Sequence, residues 1–117
     1  MKLPLATTLL TLCFLLMGCN KELPVFDGEV LKRDGLLYKP DSTVPLTAKV
    51  EHFHKNGQLK TQYSAIEGKR EGLVKDWYEN GQLKMEAYMK DGRTRGLARM
   101  WHENGQLEYE RVNKDGV

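Results

Sequence analysis

The tetrapeptide Asn-Gly-Gln-Leu occurs three times, at Asn56–Leu59, Asn80–Leu83 and Asn104–Leu107, each copy 24 residues from the next. Nothing else in the chain restricts its fold so strongly, because the same period fixes further positions. Phe53, Trp77 and Trp101 stand three residues before each Asn, and Gly68, Gly92 and Gly116 twelve residues after it. An acid precedes each of those glycines (Glu67, Asp91, Asp115), and Ala48, Gly72 and Gly96 lie eight residues before each Asn. Self-similarity at a fixed spacing of about 20–50 residues marks an array of identical supersecondary units that stack to bury what one unit cannot bury alone.

The unit itself is readable. Asn-Gly between two alternating runs is a strong hairpin signal, since both central residues of a type I′ turn need a positive φ. Asn56-Gly57, Asn80-Gly81 and Asn104-Gly105 are therefore the turn-forming pairs, and Asp91-Gly92 closes the next connection by the same chemistry. The predicted fold is all-β, an antiparallel meander of stacked β-hairpins. Its strands run over about 72–78, 82–90, 96–102 and 106–113. Gly72 and Gly96 predict a bulge or bend where the chain re-enters the sheet.

A two-residue turn at Asn80-Gly81 puts Lys75 opposite Glu86 and Trp77 opposite Lys84. Period-two alternation then gathers Val74, Tyr78, Leu83, Met85, Ala87 and Leu107 on an apolar face. Phe53, Trp77 and Trp101 form an aromatic ladder on the other face, among Lys84, Glu86, Arg99 and Glu108. That ladder is the favoured partner-binding surface, because rings held on a rigid sheet lose little entropy and are enriched among interface hot spots; the open edge strand around 106–113, whose unpaired backbone groups an extended segment could join, is the alternative.

The segment ahead of the repeats divides in two. Lys2 gives a positive start and Leu3–Met17 an apolar run of 15 residues, short for a membrane span and right for a signal-peptide core. Leu16-Met17-Gly18-Cys19 resembles the bacterial lipoprotein box, which implies that Cys19 becomes the lipid-modified first residue of an envelope protein held on a membrane outside the cytoplasm. The expected organisation is a signal peptide over 1–18, a tether over 19–28 and a repeat domain over 29–117. Within that domain, residues 29–50 read as a degenerate first unit, with Leu36–Tyr38 and Leu46–His54 as strands. The final strand, near 106–113, is expected to be an open edge guarded by Glu108, Glu110 and Arg111.

Composition removes several function classes. The net charge is +2 and falls to +1 when Lys2 leaves with the signal, which is no electrostatic footprint for nucleic acid. His52, His54 and His102 are the three histidines. His54 and His102 occupy equivalent positions two units apart, roughly 19 Å at four strand spacings, too far to share an ion. No serine or cysteine stands in a nucleophile's context, and glycine-rich phosphate loops are absent. The expectation is a protein without catalytic residues, cofactor or metal.

Trp77–Lys84 (Trp-Tyr-Glu-Asn-Gly-Gln-Leu-Lys) and Tyr88–Leu97 (Tyr-Met-Lys-Asp-Gly-Arg-Thr-Arg-Gly-Leu) resemble the MORN-repeat variant found in YwqK-family antitoxin-like bacterial proteins. The resemblance covers about residues 35–117. It implies an elongated sheet of stacked hairpins used for binding, to a lipid or to a protein partner such as a toxin or effector. The chain departs from the pattern at Ala48, where the unit has Gly, and at Ser64 and Val112, where Tyr88 shows an aromatic. Two function classes fit. One is a lipid-anchored protein-interaction module of the envelope, antitoxin- or immunity-like. The other is a cell-wall, glycan or lipid-binding repeat, against which the 9% aromatic content argues. Neither the partner nor the oligomeric state is written in the sequence.

Overall fold

The computed structural model describes residues 22–114, and among them it contains strands and no helix. In chain order these are β1 (Val25–Phe26), β2 (Leu31–Arg33), β3 (Leu36–Tyr38), β4 (Ala48–Phe53), β5 (Leu59–Ile66), β6 (Lys69–Trp77), β7 (Leu83–Lys90), β8 (Arg93–Trp101) and β9 (Leu107–Asn113). Seven of them form one sheet in the order β1-β4-β5-β6-β7-β8-β9, while β2 and β3 pair only with each other. From β4 onward every neighbour is sequential and antiparallel, which is the all-β meander the period requires. The exception is β1, which lies in the stretch read as a tether and joins β4 in parallel. Stacking in one direction gives an elongated body of 60 × 32 × 31 Å.

Two kinds of turn alternate along the sheet, and they reverse one expectation. The acid-glycine pairs are the type I′ turns: φ is 48° and 84° at Glu67-Gly68, and 51° and 80° at Asp91-Gly92. The Asn-Gly pairs are not. Gly57, Gly81 and Gly105 have φ near 90°, but the asparagines before them stay out of the left-handed region. The Gly81 N–H donates to the Tyr78 carbonyl at 2.9 Å and the Tyr78 N–H to the Gln82 carbonyl at 2.9 Å, closing a three-residue loop. This is a type I turn followed by a left-handed glycine, the G1-bulge hairpin. Asn80 explains the choice. Its Oδ1 accepts the Gln82 N–H at 2.9 Å, an Asx turn that fixes Asn in a right-handed conformation and leaves only the glycine left-handed.

The extra loop residue changes which side chains share a face. Trp77 pairs with Leu83 rather than Lys84; Asp76 then pairs with Met85, so Lys84 is bulged out of register and Lys75 still meets Glu86. The same shift pairs Phe53 with Leu59 and Trp101 with Leu107. Leu83 and Leu107 therefore stand with the aromatics, correcting the apolar-face assignment. Lys84 and Glu108 stand on the opposite face, where Lys84 Nζ lies 5.5 Å from the centre of the Tyr78 ring and Glu108 Oε1 3.5 Å from His102 Nδ1. The bulges expected at Gly72 and Gly96 are present. Four residues of β6, from Glu71 to Lys75, advance against two of β5, from Ser64 to Gln62, and Gly72 has φ 84°.

The core sits at one end. Leu46, Ala48, Val50, Tyr63, Ala65 and Val74 are buried together, with Phe26, Val30 and Leu37 packed against them. The β2–β3 hairpin thus covers one face of β4–β6 instead of adding a unit to the sheet, while β1 extends the sheet beside β4. Backbone bonds lock the cover in place: the Leu37 N–H donates to the Gly68 carbonyl at 2.9 Å and the Leu46 N–H to the Leu37 carbonyl at 2.8 Å. Burying a residue such as Val50 contributes about 1.5–3 kcal/mol. Across β9, by contrast, Leu107 to Val112 are all exposed.

Candidate interaction surface

On the face away from the cover, each strand from β4 to β9 places one large apolar side chain beside the next. In order they are Phe53, Leu59, Trp77, Leu83, Trp101 and Leu107, three cross-strand pairs joined into a row by the β5–β6 and β7–β8 pairings. At about 4.8 Å per strand the row is roughly 24 Å long, with its rings about 10 Å apart. Both ends are half-exposed: Phe53 at 51% and Leu107 at 51%. The structure therefore brings Phe53, Trp77 and Trp101 onto one face and fills the gaps between them with leucines. The leucines were missed in the sequence because a two-residue turn gives the wrong parity; a three-residue loop count would have found them.

A polar band runs parallel to the row, one step along the strands. Glu51, Gln62, Lys75, Glu86, Arg99 and Glu110 are in register across six strands. Gln62 Nε2 donates to Glu51 Oε2 at 2.8 Å, Lys75 Nζ lies 3.7 Å from Glu86 Oε2, and Arg99 Nε donates to Glu110 Oε2 at 2.8 Å. Opposite charges alternate, so the band is largely self-neutralised and sets no strong field beside the apolar row.

On its other flank the row is held by the Asn-Gly-Gln turns. Asn56 Nδ2 donates to the Glu79 carbonyl at 2.9 Å and Asn80 Nδ2 to the Glu103 carbonyl at 3.1 Å, each bond joining one turn to the next. Gln58 Oε1 lies 3.1 Å from where a Cβ on Gly81 would sit, and Gln82 Oε1 3.3 Å from the same point on Gly105. Three letters of the tetrapeptide have a structural role. Asn caps its own turn and stitches to the next, Gly supplies the left-handed φ and room for the previous Gln, and Leu fills the row.

His52 and His54 are each held by a backbone carbonyl. His52 Nε2 lies 2.9 Å from the Gly28 carbonyl oxygen and His54 Nε2 2.8 Å from that of Trp77. Tyr78, at the position equivalent to His54, donates its hydroxyl to the Trp101 carbonyl at 2.8 Å. Among the described residues no group of three or more His, Cys, Asp or Glu side chains is placed to hold a metal ion. Cys19, the expected lipidation site, lies outside the described residues.

The sequence pattern of the MORN repeat variant matches residues 46–65, 70–91 and 95–112, one match for each hairpin β4–β5, β6–β7 and β8–β9. The chain is a MORN-repeat protein. MORN repeats are non-catalytic modules that generally serve protein or membrane interaction. In this MORN-repeat protein the family pattern begins at β4, so β1–β3 are an addition outside the repeats. No curated protein and no solved structure matches the chain.

Proposed function

We propose that this MORN-repeat protein is a lipid-anchored module of the bacterial envelope that docks a protein partner through the row from Phe53 to Leu107. The supporting observation is the row itself: six apolar side chains side by side on the solvent face of a rigid sheet, beside a band whose charges largely offset one another. A partner suited to it presents a narrow apolar ridge with few net charges. The leucines between the rings favour protein over glycan, because sugar hydroxyls need polar groups at those positions. An antitoxin- or immunity-like role, with a toxin or effector as the partner, is the form of this reading that the family resemblance suggests. The anchor is the lipid expected on Cys19.

Photo-crosslinking in intact envelopes, with a crosslinkable residue at Leu83, is expected to capture a defined protein. The double variant Trp77→Ala, Trp101→Ala should then weaken that partner by at least about 2 kcal/mol while circular dichroism shows the fold intact. Undiminished affinity in the folded double variant removes the row as the docking surface. Cys19→Ser should abolish incorporation of labelled fatty acid, and label persisting in that variant removes the anchor.

A further inference from the structure

The covered face holds a cleft that the docking row does not use. Between the β2–β3 hairpin and the strands β5–β7 lies a cavity of about 420 Å³, within the size range of small-molecule sites. Its apolar walls include Leu37, Tyr63, Val74 and Met85, and two cations, Lys32 and Arg70, line it with them. His52, Thr61 and Asp76 complete the polar lining.

Arg70 is the informative residue. Its guanidinium carbon sits 4.5 Å from the centre of the Tyr63 ring, a cation–π contact that holds the group over the ring. Among the described residues, Arg70 Nε is the one buried side-chain nitrogen or oxygen with no hydrogen-bond partner. Neither Arg70 nor Lys32 forms an ion pair among those residues. A buried donor left unmatched costs about 1–3 kcal/mol, more when charged, and natural proteins rarely retain one without a use. Guanidinium donors recognise a carboxylate in particular, through parallel N–H···O bonds.

We propose that this cleft binds a small organic carboxylate with an apolar body, the carboxylate on Arg70 and Lys32 and the body against Tyr63, Val74 and Met85. Two sources share that chemistry, a short fatty acid and the free C-terminus of a small apolar peptide. Because Lys32 and Leu37 lie outside the repeat pattern while Tyr63, Arg70, Val74 and Met85 lie within it, the cleft forms where this chain's N-terminal addition meets the repeats.

Calorimetric titration of the full chain with octanoate, and separately with N-acetyl-trileucine, tests this. 1-Octanol and the C-terminal amide of the same peptide serve as uncharged controls. The expected result is saturable binding of at least one acid, about ten-fold or more tighter than its control. Arg70→Gln should remove that preference and Arg70→Lys should restore part of it, while Lys75→Gln on the opposite face changes nothing. If Arg70→Gln unfolds the chain, Lys32→Gln provides the second reading, with the same loss of preference for the acid. Whichever acid binds identifies the source. Equal affinity for acid and control, no heat with either acid at millimolar concentration, or a preference unchanged in the folded variants overturns the proposal.

Discussion

Gly68 and Gly92 occupy equivalent places, each the second residue of a type I′ turn, with φ 84° and 80°. Alanine at either must adopt a left-handed backbone, at a cost of about 1–2 kcal/mol. Alanine also restricts the unfolded chain more than glycine does, which offsets about 0.4–1 kcal/mol. Gly92→Ala, whose new methyl would meet Lys69 Cβ at an ordinary 3.9 Å, should therefore lower stability by roughly 1 kcal/mol. Gly68 is different because the N-terminal cover closes over it. A Cβ there would lie 3.0 Å from Leu36 Cβ and 3.1 Å from Pro45 Cβ, atoms fixed to backbone that cannot swing aside. Overpacking of this kind adds about 1–3 kcal/mol, so Gly68→Ala should lose roughly 2–4 kcal/mol in all. For a domain of this size each kcal/mol moves the melting temperature by about 4–8 °C. Thermal and urea unfolding followed by circular dichroism will separate the two variants. Adding Leu36→Ala leaves the Cβ contact in place but removes Leu36 Cδ2, which would lie 3.2 Å from the new methyl, and should recover that share of the Gly68→Ala loss, a coupling expected only of residues in contact. Equal losses at the two glycines, or strict additivity with Leu36→Ala, would refute the tight closure of β3 on the first acid-glycine turn.

Three further outcomes follow from the same geometry. Asn80→Ala should cost about 1–2 kcal/mol in urea unfolding, through loss of the bonds to the Gln82 N–H and the Glu103 carbonyl. Asn104→Ala, which among the described residues breaks only the bond from the Gln106 N–H, should cost less. Gly81→Val should cost about 1–3 kcal/mol through strain at φ 89°, and lower the melting temperature clearly more than Gln82→Val in the exposed turn beside it. Glu110→Gln should change stability by less than about 1 kcal/mol and by nothing measurable at high salt, because the Arg99–Glu110 pair is exposed on both sides.

The period made the repeating sheet legible. A 24-residue spacing with two glycine turns per unit leaves little but a hairpin meander, and the glycines at 72 and 96 already mark the bulges. The faces were legible only up to the turn type. Asn-Gly and Asp-Gly carry the same preference for positive φ, and what separates them here is the Asx bond from Asn80 to Gln82, which depends on the loop's path. From that one residue of loop length comes the exchange of Leu83 for Lys84 beside Trp77. The N-terminal cover was less visible. The β2–β3 hairpin has a signal, Asp34-Gly35 with φ 51° and 81°, but β1 is two residues long and has no pattern that could announce it. Arg70 had no sequence signature at all, because its partner on the ring face, Tyr63, and the wall carrying Lys32 arrive only through tertiary packing.

The stitches between turns reach one unit forward and no further: Asn56 to Glu79, Asn80 to Glu103. Among the described residues no long-range closure ties the array to a particular number of units, so a tandem duplication of 24 residues would meet the same carbonyl, the same glycine and the same leucine at its junctions. Each unit gained or lost beyond β7 shifts the length of the exposed row by about 10 Å, two strand spacings, without touching the core, whose members lie in β7 and earlier. The molecule is in this sense a ruler with a fixed graduation. Copying one genetic segment at that end would lengthen the exposed row while leaving the cleft as it is.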